Sequence, residues 1–357
     1  MKTRFLDVTC LVVLCVILTL GLWPFHSPHN GVTWLPNRDG LQFGKYSTVM
    51  SSGQFQMPAA EGEGIGSVEL WLQPRHVSNS STILASCAPG SPCRFRLRQS
   101  LSDLELQTGD STKLYVDNLF RRPGPVFLTV TSGLRGTSVY TNGVLARTAP
   151  RFRLPSNPFV GRLILADSPE QPDNWSGQLF GLAIYSRELS PEQVLANYQA
   201  WTQGAQPGPP DDGHTIAYYP FHERAGNVVH NQAGSGVNLY IPEKYTVLDK
   251  YFLEPFWKEF RMSRSTWRDI FKNIVGFVPF GACFFACLSA HQVRRAALAT
   301  VLLGFLVSLT IEVLQAYLPT RDSGTTDLIT NTLGTYLGVI VCRPFMPFLV
   351  PPTGNTR

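Results

Sequence analysis

The chain has 357 residues, of which 15% are charged and 44% are hydrophobic, and its formal net charge is +5. This length exceeds what one ordinary domain needs, so we expect two or three structural units. The mean hydropathy is close to zero, which we interpret as an average over membrane helices and a water-soluble middle. The small positive charge equals that of the short segments assigned to the cytoplasm below. It therefore gives no reason to expect nucleic acid as a partner.

The N-terminus combines two basic residues, Lys2 and Arg4, with an apolar run over residues 8–23. This pattern is typical of a cleaved signal peptide or of an uncleaved first membrane helix. No small-x-small cleavage motif follows the run. We therefore expect residues 1–24 to form an uncleaved signal anchor, the first transmembrane helix.

Residues 25–204 have the composition of an all-β domain, with short alternating segments separated by Gly, Pro, Asn and Ser. The pair Asn142-Gly143 lies between two such segments and predicts a type I′ hairpin. A helix should start at residues 190–193, because Ser-Pro-Glu-Gln supplies an N-cap, a first-turn proline and a glutamine at N3. Strands are predicted at residues 67–72, 82–86, 94–98, 104–107, 126–131, 138–147, 163–166 and 178–185.

Two stretches connect this domain to the membrane part. Residues 205–248 begin with a Pro/Gly/Asp-rich linker and continue as strand, loop and strand, which either complete the sandwich or bridge it to the membrane. Residues 249–266 follow, and there Phe252, Phe256 and Phe260 fall on one helical face. This spacing predicts an interfacial amphipathic helix, with a buried helix of the soluble domain as the alternative.

The C-terminal third contains two apolar runs, each long enough to cross a bilayer, since about 20 residues at ~1.5 Å rise span roughly 30 Å. A further apolar helix is predicted near residues 274–290. Residues 267–350 therefore supply helices two to four of a small α-helical membrane bundle of four spans, and residues 351–357 form a cytoplasmic tail.

Each of the last two runs carries a polar stripe. The residues of a stripe recur at helical spacing, so we expect them to face other helices while the leucines between them face lipid. In the second stripe Gly334 and Gly338 make a G-x-x-x-G spacing, which permits close approach of helix backbones. The stripes comprise Gly304, Ser308, Glu312 and Gln315 in the first run, and Asp327, Asn331, Gly334 and Gly338 in the second.

The basic residues of the short loops predict the orientation of the spans. Lys and Arg accumulate on the cytoplasmic side of membrane proteins. We expect both termini in the cytoplasm of a bacterium and the β-domain on the outer side of its inner membrane. The segments assigned to the cytoplasm hold Lys2, Arg4, Arg294, Arg295, Arg343 and Arg357 against Asp7 alone, and six minus one equals the net charge of +5.

With this topology, polar residues from three helices meet at the outer end of the bundle. Glu312 lies about six residues inside its helix, where a carboxylate is costly unless it is protonated, paired with a cation such as Arg321, or exposed to a wet cavity. A functional site and a purely structural polar clamp both fit this pattern. The predicted polar membrane pocket comprises Asp269, Asn273, Glu312, Gln315, Arg321, Asp327 and Asn331.

The cysteines fall into two groups. Cys87 and Cys93 flank a short Ala-Pro-Gly-Ser-Pro loop in the outer domain, and we predict that they form a disulfide. The other five lie in predicted membrane spans, where we interpret them as small apolar residues without metal-ligand spacing.

The middle of the chain resembles the laminin G-like, concanavalin A-like lectin jelly roll. The resemblance rests on SVELWLQP, STILAS, the hairpin SVYTNGVLA and the closing segment SGQLFGLAIYSRELSPEQVLANY. It implies carbohydrate binding, calcium binding or, in one branch, glucanase activity. Asp103 and Glu105 lack the third carboxylate that this branch needs. Asp167, Asp173 and Asn174 would suit a calcium ion, the one cofactor indicated, although a solvated acidic loop is the alternative.

The membrane part resembles the VanZ-like family. WRDIFKNIVGFVPFG matches its D-x-x-x-N-x-x-x-F-x-P-x-G pattern, and SLTIEVLQAYLPTRDSGTTDLITNTLGTYLG matches S-x-x-I-E-x-x-Q followed by D-x-x-x-N-x-x-G. The match covers residues 267–341, so the β-domain would be an insertion in the first outer loop. The family name comes from a member implicated in resistance to a glycopeptide antibiotic, teicoplanin, which implies a role in the cell envelope.

These observations lead to several hypotheses on function. The first is a bacterial multi-pass membrane protein whose β-sandwich binds a surface glycan and whose polar pocket uses Glu312 to accept a proton or bind a cation. Arg321 would be its counter-charge or an anion clamp, and the other five residues would orient a ligand by hydrogen bonds.

The alternative is a membrane enzyme or transporter that acts on a lipid-linked or cell-wall substrate, with Glu312 as general base. No Ser-His-Asp pattern supports an enzyme, and the predicted bundle helices contain no histidine, which counts against metal chemistry. A transporter of four spans would have to assemble as an oligomer. A structural anchor for the β-domain is a further alternative.

Overall fold

The structure is a computed structural model, and its described residues form two compact units. One unit contains residues 1–27 and 250–357, and the other contains residues 28–249. The described residues are 2–56, 64–77, 80–88, 93–109, 112–169, 174–204, 213–234, 236–247, 252–253, 255–259, 264–321 and 323–349.

The unit of residues 28–249 is built from short strands and one helix. Its helix, α2, spans Pro191–Thr202. The strands are β1 (Val32–Trp34), β2 (Leu41–Phe43), β3 (Val49–Ser51), β4 (Gly66–Pro74), β5 (Ser80–Cys87), β6 (Phe95–Ser100), β7 (Asp103–Thr108), β8 (Thr112–Val116), β9 (Val126–Gly133), β10 (Gly136–Thr141), β11 (Val144–Ala149), β12 (Arg162–Leu165), β13 (Gly177–Tyr185), β14 (Thr215–Tyr219), β15 (Val228–Val229) and β16 (Leu239–Tyr240).

These strands form two antiparallel sheets. The first has the order β1-β2-β13-β4-β9-β10-β11, with β14 also paired to β13, and the second has the order β15-β16-β3-β12-β5-β6-β7-β8. Runs of sequential strands, such as β5-β6-β7-β8 and β9-β10-β11, are joined to strands distant in the chain at β2-β13-β4 and β3-β12-β5, as in a jelly roll of the concanavalin A-like type. The sequence alone left the role of residues 205–248 open, and the structure places β14, β15 and β16 within the two sheets.

The core of this unit lies between the two sheets. Strand residues alternate between the two faces of a sheet, so every second side chain points inward. Leu70 and Leu72 of β4 are fully buried in the same cluster as Leu97 of β6 and Leu163 of β12. These apolar positions explain why the predicted strands 67–72, 94–98 and 163–166 reappear with small changes at their ends.

The turn chemistry that the sequence predicts is present. Asn142 and Gly143 have positive φ angles of 52° and 77°, as a type I′ turn requires. The N–H of Gln193 donates to Ser190 Oγ at 3.3 Å, and the N–H of Ser190 donates to Gln193 Oε1 at 2.9 Å. This reciprocal capping box starts α2, whose residue Trp201 is buried against the first sheet.

The second unit is helical. Three of its helices contain segments long and apolar enough to cross a bilayer, Thr3–Leu22, Thr266–Ala290 and Ala296–Ala316. Helix α6 packs against α4 and α5 and, with 18 residues at ~1.5 Å rise, is about 27 Å long. The helices are α1 (Lys2–Leu22), α3 (Phe256–Glu259), α4 (Arg264–Ala290), α5 (Ala296–Ala316), α6 (Thr325–Cys342), a 3-10 turn (Arg343–Phe345) and α7 (Met346–Leu349).

Helices α1, α4, α5 and α6 form a bundle whose tightest packing involves glycines. A Cβ atom added to Gly334 or Gly338 of α6 would collide with the backbone of α4, at the carbonyl oxygens of Ile274 and Val278. The G-x-x-x-G spacing therefore allows the two helix backbones to touch. This contact turns the polar stripe of α6 toward the interior of the bundle, where Asn331 is buried.

The structure describes only part of the predicted interfacial helix over residues 249–266, and Phe260 lies outside the described residues. Among its described residues, only Phe256–Glu259 form a separate helix, and the following helix starts at Arg264. Phe252 and Leu253 lie in a bend, and Leu253 has a positive φ of 48°. The sequence favours a break at this point, because a proline such as Pro255 disfavours the helical region for the residue before it.

A buried carboxyl group lies beneath α2 in the β unit. Glu69 of β4 is 1% exposed. Its carboxyl oxygens accept hydrogen bonds from the Tyr185 hydroxyl at 2.9 Å, Asn197 Nδ2 at 3.1 Å and Thr129 Oγ1 at 3.3 Å. Burial raises the pKa of Glu69 from 4.5 to about 7, and the three hydrogen bonds only partly offset this effect.

We expect the β unit to lose stability as the pH rises from about 4.5 to about 7. In this window the folded protein holds the Glu69 proton and the unfolded chain releases it, so the folded state becomes less favourable by up to about 3 kcal/mol. The midpoint of thermal unfolding, followed by tryptophan fluorescence of the full chain in detergent, should fall accordingly. Glu69→Gln should flatten this dependence, whereas the exposed Glu243→Gln should not. Equal pH profiles for wild type and Glu69→Gln would contradict the assignment.

Candidate functional site

The helical unit contains a cavity of about 680 Å³ at one end of the bundle. It lies between the C-terminal part of α1, the N-terminal part of α4, the C-terminal part of α5 and the start of α6. The seven residues of the predicted polar pocket all line it: Asp269, Asn273, Glu312, Gln315, Arg321, Asp327 and Asn331. Lys272 and Thr320, which the sequence analysis did not include, line it as well.

Glu312 connects α5 to the start of α6. Its side chain is buried, and Oε2 accepts a hydrogen bond from the backbone N–H of Gly324 at 2.9 Å. Gly324 is the N-cap residue of α6 and has no side chain to cap the helix itself. A carboxylate at this position is stabilised by the positive end of the helix dipole. Glu312 therefore acts as a cap supplied by a neighbouring helix.

Two amide side chains link the helices that surround the cavity. Asn273 Nδ2 of α4 donates to Asp327 Oδ1 of α6 at 2.7 Å. Asn331 Nδ2 of α6 donates to Ser308 Oγ of α5 at 3.0 Å. The positions and spacing of Asn273 and Asn331 in the sequence predict that they face other helices, and the structure brings both into these contacts.

The other half of the Asn331 amide has no partner. Asn331 is 6% exposed, and its Oδ1 atom has no hydrogen bond among the described residues. A buried polar atom left unsatisfied costs about 1–3 kcal/mol. If the oxygen and nitrogen of this amide were exchanged, the nitrogen would be the atom without a hydrogen-bond partner. Because Asn331 lines the cavity, a polar group held in the cavity could supply the missing hydrogen bond.

Arg321 lies away from its expected partner. The sequence suggests an ion pair with Glu312. In the structure the Arg321 guanidinium instead donates hydrogen bonds to the carbonyl oxygens of Leu20 and Trp23, and Nε lies 2.9 Å from Trp23 O. Gln315 Nε2 donates to Gly21 O in the same segment at 2.8 Å. These donors satisfy carbonyl groups at the C-terminus of α1, where a cation is favoured by the helix dipole.

Asp269 lies at the rim of the cavity. Its side chain is 57% exposed and pairs with Lys272 Nζ at 3.1 Å and with Arg268 Nε at 3.9 Å. Exposed pairs of this kind contribute little to stability. Three carboxylates and two basic side chains line the cavity, so its formal charge is minus one when all five are ionised.

The β unit contains the remaining predicted site residues. Cys87 and Cys93 form a disulfide. Asp167 is buried and accepts hydrogen bonds from the Tyr245 hydroxyl and the Ser168 N–H, both at 2.8 Å. Asp167 thus has partners within the protein, and calcium binding at this position stays a prediction.

The remaining residues of the suggested calcium site and of the strand carboxylate pair also have identified positions or partners. Asn174 Nδ2 donates to Ser47 O at 3.2 Å, and Asp173 lies outside the described residues. Glu105 pairs with Lys113 Nζ at 2.6 Å. Asp103 accepts the Asn118 N–H at 2.7 Å. Both strand carboxylates therefore have partners within the β unit.

Glu312→Ala should loosen the start of α6. Removing the acceptor leaves a buried N–H unsatisfied, at a cost of about 1–3 kcal/mol. Hydrogen exchange of the full chain in detergent should become faster in the segment 323–326, and Glu312→Gln should retain part of the protection. Thr310→Val, which changes an exposed position on the same helix, is the control. Unchanged exchange in Glu312→Ala would contradict the capping role.

Comparison with protein families identifies two regions. Residues 47–195 match the model described as concanavalin A-like lectin/glucanases superfamily, and residues 215–348 match the model described as VanZ/LLP1. The second match begins in β14, upstream of the boundary at residue 267 expected from the sequence. No functionally curated protein matches the chain.

Solved structures resemble part of the chain at low identity. A candidate carbohydrate-binding protein from Bacteroides ovatus has 12% identity and a TM-score of 0.42, with 60% of this chain and 58% of that chain covered. A heptameric SAP-like pentraxin from Limulus polyphemus has 16% identity and a TM-score of 0.39, with 61% and 94% covered. Botulinum neurotoxin type C, whose cell entry depends on two ganglioside molecules, has 17% identity and a TM-score of 0.37, with 48% and 45% covered. The chain thus spans little more than half of the Bacteroides protein, and these values carry no conclusion about ligands.

Proposed function

For a membrane protein that joins a concanavalin A-like domain to a VanZ/LLP1 region, we propose a role in binding a glycan-bearing ligand of the bacterial cell envelope. The polar cavity of the helical unit holds the headgroup of a lipid-linked or cell-wall ligand. The β-sandwich binds a surface glycan. Tolerance of glycopeptide antibiotics would be one consequence of binding such a ligand.

The observation that carries the proposal is the cavity lined by polar groups within a bundle of apolar helices. Its volume of about 680 Å³ is within the range of roughly 300–1,000 Å³ typical of small-molecule sites. Ionisable residues at such depth usually mark a pathway or a binding site. Asn331 Oδ1 needs a hydrogen-bond donor, which the hydroxyl or amine groups of a headgroup supply.

The charges around the cavity favour the same class of ligand. Arg321 is engaged with the end of α1 and Lys272 with Asp269, so the basic groups already have oxygen partners. The surplus carboxylate makes an ammonium or hydroxyl-rich group a better match than a multiply charged anion. Glu312 is engaged in capping α6, which favours a binding and structural role for it over that of a general base.

We propose that the protein resides in the inner membrane with both termini in the cytoplasm and the β unit outside. The basic residues Arg294 and Arg295 follow α4 directly, as the positive-inside rule expects for a cytoplasmic loop. The disulfide between Cys87 and Cys93 fits an oxidising outer compartment.

Asn331→Leu should reduce occupancy of the cavity by about tenfold, which corresponds to about 1.4 kcal/mol. The leucine is similar in size to the asparagine but has neither the oxygen nor the nitrogen of the amide. The measurement is native mass spectrometry of the full chain released from nanodiscs made with bacterial lipids. Tyr336→Phe, at an exposed position of α6, is the control. The same bound lipid at equal occupancy in Asn331→Leu would contradict the proposed pocket.

Glycan binding should require the β unit. The full chain in nanodiscs should bind a subset of bacterial cell-wall oligosaccharides on an array, and a chain lacking residues 28–249 should not. An isolated β segment that ends at residue 204 is not used for this binding test, because it lacks β14, β15 and β16. Equal binding by the deleted chain, or the absence of binding to every glycan tested, would refute this part of the proposal.

A further inference from the structure

A second group of polar side chains lies at the end of the bundle opposite the cavity. Asp7 is near the start of α1, Cys287 is in the last turn of α4, and His291 follows the end of α4. Cys287 Sγ lies 3.2 Å from Asp7 Oδ1, and His291 Nε2 lies 2.9 Å from the same oxygen. The three ligand atoms are all within 4.8 Å of one another. No residue of this group lines the cavity described above.

The chemistry of this group matches a transition metal. Thiolate, imidazole and carboxylate are the three side chains that bind zinc in proteins, with bond lengths of about 2.0–2.3 Å. Around a tetrahedral ion these bond lengths place neighbouring ligand atoms roughly 3.3–3.6 Å apart. The observed separations of 2.9 and 3.2 Å need to widen by only a few tenths of an ångström.

The thiol of Cys10 lies next to Cys287, although it is not one of the three ligand atoms within 4.8 Å of one another. Cys10 lies three residues after Asp7, so the two share a face of α1. Cys10 is buried, and its thiol interacts with that of Cys287. On α4, Cys287 and His291 are four residues apart and likewise share a face. Two helices thus present ligand pairs to each other, as in designed and natural metal sites within helical bundles.

Exposure at the site permits entry of an ion. The side chains of Asp7 and His291 are about half-exposed, at 46% and 49%, while Cys10 is buried. One side of the group is therefore open at the surface of the bundle, and the other faces its interior. A simple surface ion pair between His291 and Asp7 would contribute little and would not explain why two thiols converge on it.

We propose that Asp7, Cys287 and His291 bind a zinc ion, with Cys10 as the fourth ligand. The ion joins the start of α1 to the end of α4, two segments about 280 residues apart in the chain. Binding releases the protons of the two thiols, so zinc affinity falls as the pH is lowered. The ion fixes α1 against α4 at this end, independently of what the cavity binds.

The test uses the full chain in detergent, purified through an affinity tag without histidine and reconstituted with zinc chloride. Elemental analysis should find stoichiometric zinc after dialysis. Cys287→Ser and His291→Ala should each weaken zinc binding by more than about tenfold. Cys15→Ser and His26→Ala change a cysteine and a histidine of the same unit that lie outside the group, and they should leave zinc binding unchanged.

A second measurement does not depend on how the variants fold. Wild-type protein loaded with cobalt(II) in place of zinc should show a thiolate-to-metal charge-transfer band and the intense visible absorption of tetrahedral coordination. Absence of that band, or zinc retained in the double variant Cys287→Ser/His291→Ala, would overturn the proposal. A disulfide between Cys10 and Cys287 in protein isolated without oxidant would overturn it as well.

Discussion

A helix that starts inside a bundle leaves backbone N–H groups that water reaches poorly, and unsatisfied groups of this kind cost several kcal/mol in a membrane. In this protein the Glu312 carboxylate accepts the N–H of Gly324 at the start of α6. The position of α6 determines where Asp327 and Asn331 lie, and both line the cavity. The polar cavity therefore depends on a contact between two helices that are adjacent in the chain.

The same constraint accounts for the other polar groups near the cavity. Arg321 and Gln315 donate to carbonyl groups at the end of α1, and Asn273 donates to Asp327. The Gln315 and Asn273 contacts join two different helices, and the Arg321 contact joins the loop before α6 to the end of α1. The bundle is held together by apolar packing and glycine contacts over most of its length, and by hydrogen bonds at this end. The Oδ1 atom of Asn331 and the Oγ1 atom of Thr320 both line the cavity and have no hydrogen bond among the described residues. The more deeply buried Asn331 is for that reason the best indication of a ligand.

In the β unit, the buried carboxyl group of Glu69 lies between the first sheet and α2. Glu69 is fully enclosed by Tyr185, Asn197 and Thr129, yet burial still raises its pKa. Such a group lowers stability at neutral pH and fixes the position of α2 over the sheet through Asn197. The cost is tolerated because the two sheets bury a large apolar core.

The sequence alone predicted the class of each unit and seven polar residues that line the cavity, but not Lys272 and Thr320, which line it as well. Alternating strands, the Asn142-Gly143 turn and the capping box after Ser190 are local patterns, and helical spacing places Glu312 and Asn331 on buried faces. Tertiary structure decided which atoms meet. The Arg321 contact with Trp23 joins residues 298 positions apart in the chain. The place of β14 in the sandwich and the capping of α6 by Glu312 depend on how separate elements pack, and local spacing carries no information on such contacts. The sequence analysis missed the approach of Asp7 to Cys287 and His291 for the same reason, because α1 and α4 are far apart in the chain. In addition, His291 lies just beyond the end of α4, outside the helix that positions it.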